Sequence, residues 1–190
     1  EGILEMHLAT NHWLRYEYRT AFKHFNSGWA KARKFGDKRL ISSAVNFSTF
    51  FHYWQGRFND VVRVYEEAVS DIDKLPRSDF PLLATSTVGF CYAITGQVTQ
   101  GLGMVDALRV ACLERGDTFY ARACSATIGD ILMLSLSKDE ALKYFLYTYE
   151  ESEQRHDDYA NLLCKEALAY IYYLNGDIEQ SVAFLGKYIQ

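Results

Sequence analysis

Apolar and small residues return along this chain in a frame of forty residues. Gly56 and Gly96 stand forty apart and Gly176 another eighty on, with Leu136 and Tyr16 at the remaining places of the frame. Five residues past each come Ala21, Val61, Gly101, Ala141 and Ser181, and four further on Phe25, Tyr65, Val105, Phe145 and Leu185. A fixed period of this length signals a repeat array whose unit of stability is a pair of neighbouring repeats. Within the period, the spacing of apolar positions predicts helices over residues 1–14, 18–35, 38–55, 58–74, 80–95, 98–115, 118–135, 138–155, 158–174 and 178–190. Leu4, Leu8 and Trp13 are apolar positions of the first. Short turns make successive helices antiparallel.

Gly36-Asp37 closes one helix and caps the next, because glycine takes a left-handed C-terminal position freely and Asp accepts from N-terminal amides. The pattern returns as Gly116-Asp117 and His156-Asp157. Residues 75–79 form a different connection, and Pro81 falls near the first turn of a helix capped by Ser78 or Asp79. Small residues align in two columns (Ala44, Ala84, Cys124, Cys164; Gly89, Gly129, Ala169), and large ones in two more (Phe51, Ile131, Ile171; Phe58, Val98, Ile178). A small residue admits the facing aromatic, so the alternation reads as packing.

Composition narrows the picture. Of 190 residues 49% are hydrophobic and 15% aromatic, with only two prolines, enough for a continuous core of long helices. The net charge of −4 is uneven, with a +4 excess in the first forty residues and −8 in the rest. An acidic chain without a basic domain argues against nucleic-acid binding. Cys91, Cys112, Cys124 and Cys164 show no C-x-x-C spacing and read as small buried packing residues, which fits a reducing compartment. No signal-peptide pattern opens the chain. Residues 80–105 carry no charge, but the threonines and glutamines among them and a turn in the middle read as two helices rather than a membrane span.

A helix pair per repeat, a turn glycine (Gly56, Gly96, Gly176), a small residue five later and an apolar, often aromatic, one four after that resemble the tetratricopeptide repeat (TPR) family over essentially the whole chain. The forty-residue period and the Gly-Asp junctions are similar to the sensor regions of bacterial maltose-regulator-type ATPases and related signalling proteins. Leu136 and Tyr16 in place of the turn glycine, and Val61 in place of a small residue, depart from the pattern. The resemblance implies an all-α, right-handed TPR-like superhelix (an α-α solenoid) of five helix pairs spanning residues 1–190. It further implies a cytoplasmic scaffold that binds a protein, a peptide or a small effector, and that forms one segment of a larger transcription or signalling regulator. An array that stops mid-helix is expected to leave Val182 and Leu185 partly covered and to self-associate there.

No phosphate loop, H-E-x-x-H, G-x-S-x-G or paired-cysteine motif is present, and we expect no catalytic residue, cofactor or metal. His12 and His52 share a column with Tyr92, Leu132 and Tyr172 and read as packed. Asp130 and Glu166 lie on first helices of adjacent repeats and face one groove, which suits a cationic or hydrogen-bonding group. Glu150, Glu151, Glu153, Asp157 and Asp158 read as solvated. In the family the groove is lined by the first helix of each pair. Carried over, the lining is Asn46, Phe50 and Tyr53, then Ser86, Phe90 and Ala93, then Ala126, Asp130 and Met133, then Glu166, Tyr170 and Tyr173. It holds no Lys or Arg, and Phe50, Phe90 and Tyr170 form an aromatic ladder beside acidic groups. Such a surface suits an apolar segment or a cation over an aromatic face. The alternative is an enzymatic or accessory domain acting on a small molecule there, which requires a titratable group with a strongly shifted pKa in a closed pocket.

Overall fold

The computed structural model describes residues 1–72 and 81–189. Among them are ten helices and no strand: α1 (Gly2–Leu14), α2 (Tyr18–Phe35), α3 (Lys38–Trp54), α4 (Phe58–Ile72), α5 (Leu82–Ile94), α6 (Val98–Glu114), α7 (Thr118–Leu134), α8 (Lys138–Arg155), α9 (Asp158–Leu174) and α10 (Ile178–Ile189). The expected helix end at 74, the start at Phe80, the connection over 75–79 and the Ser78 or Asp79 cap lie outside the described residues. Pro81 is buried directly before α5, where its missing N–H breaks no helical bond. Its carbonyl accepts from Thr85 N and Thr85 Oγ1, each at 3.0 Å.

Every helix-pair turn has one left-handed residue: Tyr16 (φ 62°), Gly56 (69°), Gly96 (94°), Leu136 (61°) and Gly176 (79°). In each turn the next N–H reaches back to the carbonyl five residues earlier, as in Arg57 N to His52 O at 2.9 Å and Ser137 N to Leu132 O at 2.9 Å. That bond and the left-handed residue together satisfy carbonyls left open at the helix end. Tyr16 and Leu136 adopt this conformation despite a Cβ, and both project into solvent, 79% and 85% exposed. Between pairs, Gly36, Gly116 and His156 are also left-handed. Asp37 and Asp157 then cap α3 and α9 by accepting from Leu40 N and Ala160 N at 3.1 Å. Asp117 makes no such bond, so the capping expected of it is not realised.

The chain divides into two compact units, Glu1–Cys91 and Tyr92–Gln190, with the boundary inside α5. In the first, α1, α2 and α3 pack around Phe51, which is wholly buried among Met6, Ala9, Phe25 and Ala44, with Trp13, Phe22 and Phe47 against them. Met6 and Ala9, not Leu4, are the buried positions of α1. Leu4 is 61% exposed, two residues from the buried Met6 and so on the opposite side of the helix.

In the second unit the small and large columns are buried as expected: Cys124 and Cys164 in one, Ile131 and Ile171 in the other. Ile178 departs from its column and is 54% exposed at the start of α10. Helices α7 and α8 approach closely at Gly129, where an added Cβ would stand 2.6 Å from Phe145 Cζ and 2.8 Å from its Cε2. Phe145 is 1% exposed, so a displaced ring would press on other buried side chains. Gly129→Ala is therefore expected to cost about 1–3 kcal/mol by overpacking, read as a lower urea midpoint with unchanged slope. A midpoint equal to the parent's would show that α8 yields freely.

Candidate functional site

The first helices of the pairs carry the expected groove residues, and the two units place them differently. In the second unit, α7 and α9 bring Asp130 and Glu166 onto one face, both open to solvent. Asp130 has its pKa pushed up to about 7, first because surrounding protein displaces part of its hydration and then because Glu166 repels a second negative charge. Water still reaches the carboxylate, which tempers the rise. Neither group has a hydrogen-bond or ion-pair partner among the described residues. Beside them Tyr170 and Tyr173 are 57% and 60% exposed and Met133 is half-buried. Ala93 and Ala126 are buried and form floor rather than surface. Cys164, on the other side of α9, has its thiol pushed up to about 12 by burial and then by Asp130 and Asp157, so it is no nucleophile. Burial does the same to Cys91 and Cys124.

In the first unit, Asn46 and Phe50 of α3 face solvent, and Trp54, one turn beyond Phe50, is 66% exposed with its ring 6.1 Å away. Phe50 also packs edge-on against Trp13 at 6.2 Å. Tyr53 and Phe90 are half-buried against each other, 6.2 Å between centroids. Ser86 is buried and its hydroxyl donates to Leu83 O at 3.1 Å, which leaves little for a ligand.

The two column histidines have different surroundings. His52 is half-buried with Nδ1 lacking a hydrogen-bond partner among the described residues, and desolvation followed by the nearby Arg57 lowers its pKa. His12 is not merely packed: its Nδ1 lies 2.5 Å from Glu17 Oε2, and its ring stacks parallel on His24 at 5.2 Å. His24 in turn meets Glu5 Oε2 at 2.7 Å, and Glu5 also accepts from Ser27 and Lys31. These partners, His24 first, hold the Glu5 carboxyl down to about 2. This α1–α2 cluster was missed because its members sit at no common interval.

The acidic run at the fourth connection is only partly solvated. Asp157 is 8% exposed, not solvated: its Oδ2 accepts from Arg122 Nε at 2.8 Å and Nη2 at 2.6 Å while Oδ1 caps α9. Glu153 accepts from Asn161 Nδ2, which also reaches Ser152 Oγ, and Glu151 pairs with Arg155 at 3.1 Å. Glu150 and Asp158 are exposed as expected. A signal for the buried pair was available, since Arg122 stands in the column of Ser42, Leu82 and Leu162, where a cation is out of place.

Among the described residues no group of three or more His, Cys, Asp and Glu is placed to hold a metal ion, and no helix is long and apolar enough to cross a membrane. No protein-family model and no curated protein sequence matches the chain. Its structure is similar to a crystal structure of the nearly identical TPR-like repeats of a Podosopora anserina protein described as a kinesin light chain. The match has a TM-score of 0.74 at 14% identity and covers 97% of this chain and 91% of the other. Ten paired helices with left-handed turns, aligned to such repeats over nearly their full length, make this an all-α protein of TPR-like repeat fold.

Proposed function

We propose that the chain is a protein-interaction scaffold that recognises a partner's apolar, cationic segment on the outward face of its first helices. The observation that carries this reading is on α7 and α9, where two solvent-exposed tyrosines stand beside two carboxylates that have no cationic partner among the described residues. An aromatic face next to negative charge attracts a Lys or Arg side chain, about 0.5–2 kcal/mol per contact. Phe50 and Trp54 offer a similar, uncharged aromatic surface on α3.

The test is titration with helical peptides that share an apolar stripe and differ only in charge, against the parent, Tyr170→Ala and Asp130→Lys, all with unchanged melting temperature. The cationic peptide should bind best, and either substitution should weaken it by about three- to thirtyfold. Its affinity should rise as pH increases through about 7, since Asp130 becomes a second anion only there. Tight binding of an acidic C-terminal peptide, unaffected by both substitutions, would overturn the reading. Light scattering of the same samples decides whether Val182 and Leu185 of α10, 61% and 44% exposed, drive self-association.

The same reading extends to a sensor segment of a cytoplasmic bacterial regulator, supported by the Gly36-Asp37 and Gly116-Asp117 junctions. Adjoining sequence that encodes a nucleotide- or DNA-binding domain would support it, and an unrelated neighbour would count against it. Asp130 beside Glu166 also favours a second reading, small-molecule chemistry with a raised carboxyl as acid. Its open setting, rather than a closed pocket, makes binding the better account.

A further inference from the structure

The first unit contains a cleft of about 640 Å³ formed by α2, α3 and α4, on a side of α3 other than that of Asn46, Phe50 and Trp54. Its volume is in the range that holds a small organic molecule. The floor is apolar: Ile41 and Ala68 are 7% and 3% exposed, and the half-buried Trp29 forms one wall. The rim is charged and unbalanced. Arg33 lies over the Trp29 ring at 4.8 Å and meets Glu67 at 3.3 Å. Glu67 is not Arg33's alone, because Arg63 also reaches it at 3.2 Å. Lys38, at the first position of α3, lines the same cleft and has no ion-pair or hydrogen-bond partner among the described residues. Two cations of the lining therefore face one carboxylate that is already shared with a third cation.

We infer that this cleft is a binding site for an amphipathic organic anion, a carboxylate carried on a flat apolar body. The body would lie on Ile41, Ala68 and the Trp29 wall, and the carboxylate would take Lys38 and the second edge of Arg33. Lys38 selects for the anion because, among the described residues, its ammonium is a cation of the lining that no carboxylate meets. A neutral ligand would leave that charge unanswered, and a cationic one would be repelled from the rim. The site is separate from the surface of α7 and α9, so its test is independent of that reading.

Indole-3-acetate, its neutral amide, and N-acetyl-Ala-Trp with a free C-terminus are suitable probes for calorimetric titration of the 190-residue chain. Saturable binding of the acids is expected, with the amide weaker by roughly tenfold or more, and 0.5 M NaCl should weaken the acids but not the amide. Whichever acid binds more tightly tells whether a free acid or a peptide C-terminus is the natural source. Lys38→Glu should lose roughly tenfold in affinity for the acids while Lys38→Arg keeps it. Glu at the start of a helix is favourable, so a melting temperature equal to the parent's makes the loss a charge effect. The Asp130→Lys variant should bind the acids as the parent does. Equal affinity for indole-3-acetate and its amide, no saturation by either acid, or unaltered binding by Lys38→Glu would overturn the proposal.

Discussion

Arg122→Leu is expected to lower the stability of the chain by about 3–5 kcal/mol. Arg122 and Asp157 are both 8% exposed, and the guanidinium places Nε and Nη2 on one carboxylate oxygen. Removing the cation leaves Asp157 buried and charged with only the Ala160 amide for company. That penalty belongs to the carboxylate rather than to the lost contact, so it can be lifted from the other side. Arg122→Leu in an Asp157→Asn background keeps an oxygen for the α9 cap and carries no charge, and should cost less than half as much as the single substitution. Arg122 Nη1 has no hydrogen-bond partner among the described residues, a second reason why the doubly neutral version should stand near the parent. A double-mutant cycle by urea denaturation reads the coupling. Additive costs would show that α7 and α9 are held by apolar packing alone.

Phe51→Ala should cost about 3–5 kcal/mol, because the ring is wholly buried at the meeting point of three helices and its removal leaves a large cavity in their core. Its centroid lies 4.4 Å from Trp13, 5.4 Å from Phe22, 5.6 Å from Phe47 and 5.9 Å from Phe25. The tilted and edge-on geometries add to the area buried. Phe51→Leu keeps much of the volume and should lose appreciably less. Since Trp13 packs directly on Phe51, the near-ultraviolet dichroism of the native state should change in step with the denaturation midpoint. An alanine variant as stable as the leucine one would mean that this cluster closes on itself.

Much of this architecture could be read from the chain, because helix starts are local events. Where a left-handed residue, one or two polar residues and an apolar period follow one another, the backbone has few other options, and eight of the starts fall where the pattern puts them. What the period cannot show is which face a neighbour covers. Phe90 and Tyr170 share a column, yet Phe90 meets Tyr53 while Tyr170 is open to water. Leu4 is apolar yet exposed, and Asp157, read as solvated because it is charged, is buried. Both were decided by partners distant in sequence, α2 in one case and Arg122, thirty-five residues earlier, in the other. The acidic half of the candidate surface was visible as Asp130 and Glu166. The cleft beside Lys38 was not, because it needs three helices at once.

In each unit the described helices rest on their immediate successors: α1 on α2, α2 on α3 and α3 on α4 in one, and α6 through α10 in the same serial way in the other, and α1 on α3 and α7 on α9 also meet across an intervening helix. Each contact between successive helices closes only a turn of a few residues, so little chain entropy is lost before it forms. Relaxation in such a molecule is local. A hairpin can open and shut on its own clock while the next one holds, and amide exchange should be graded along the chain, fastest at the outermost helices and slowest where a helix has neighbours on both sides.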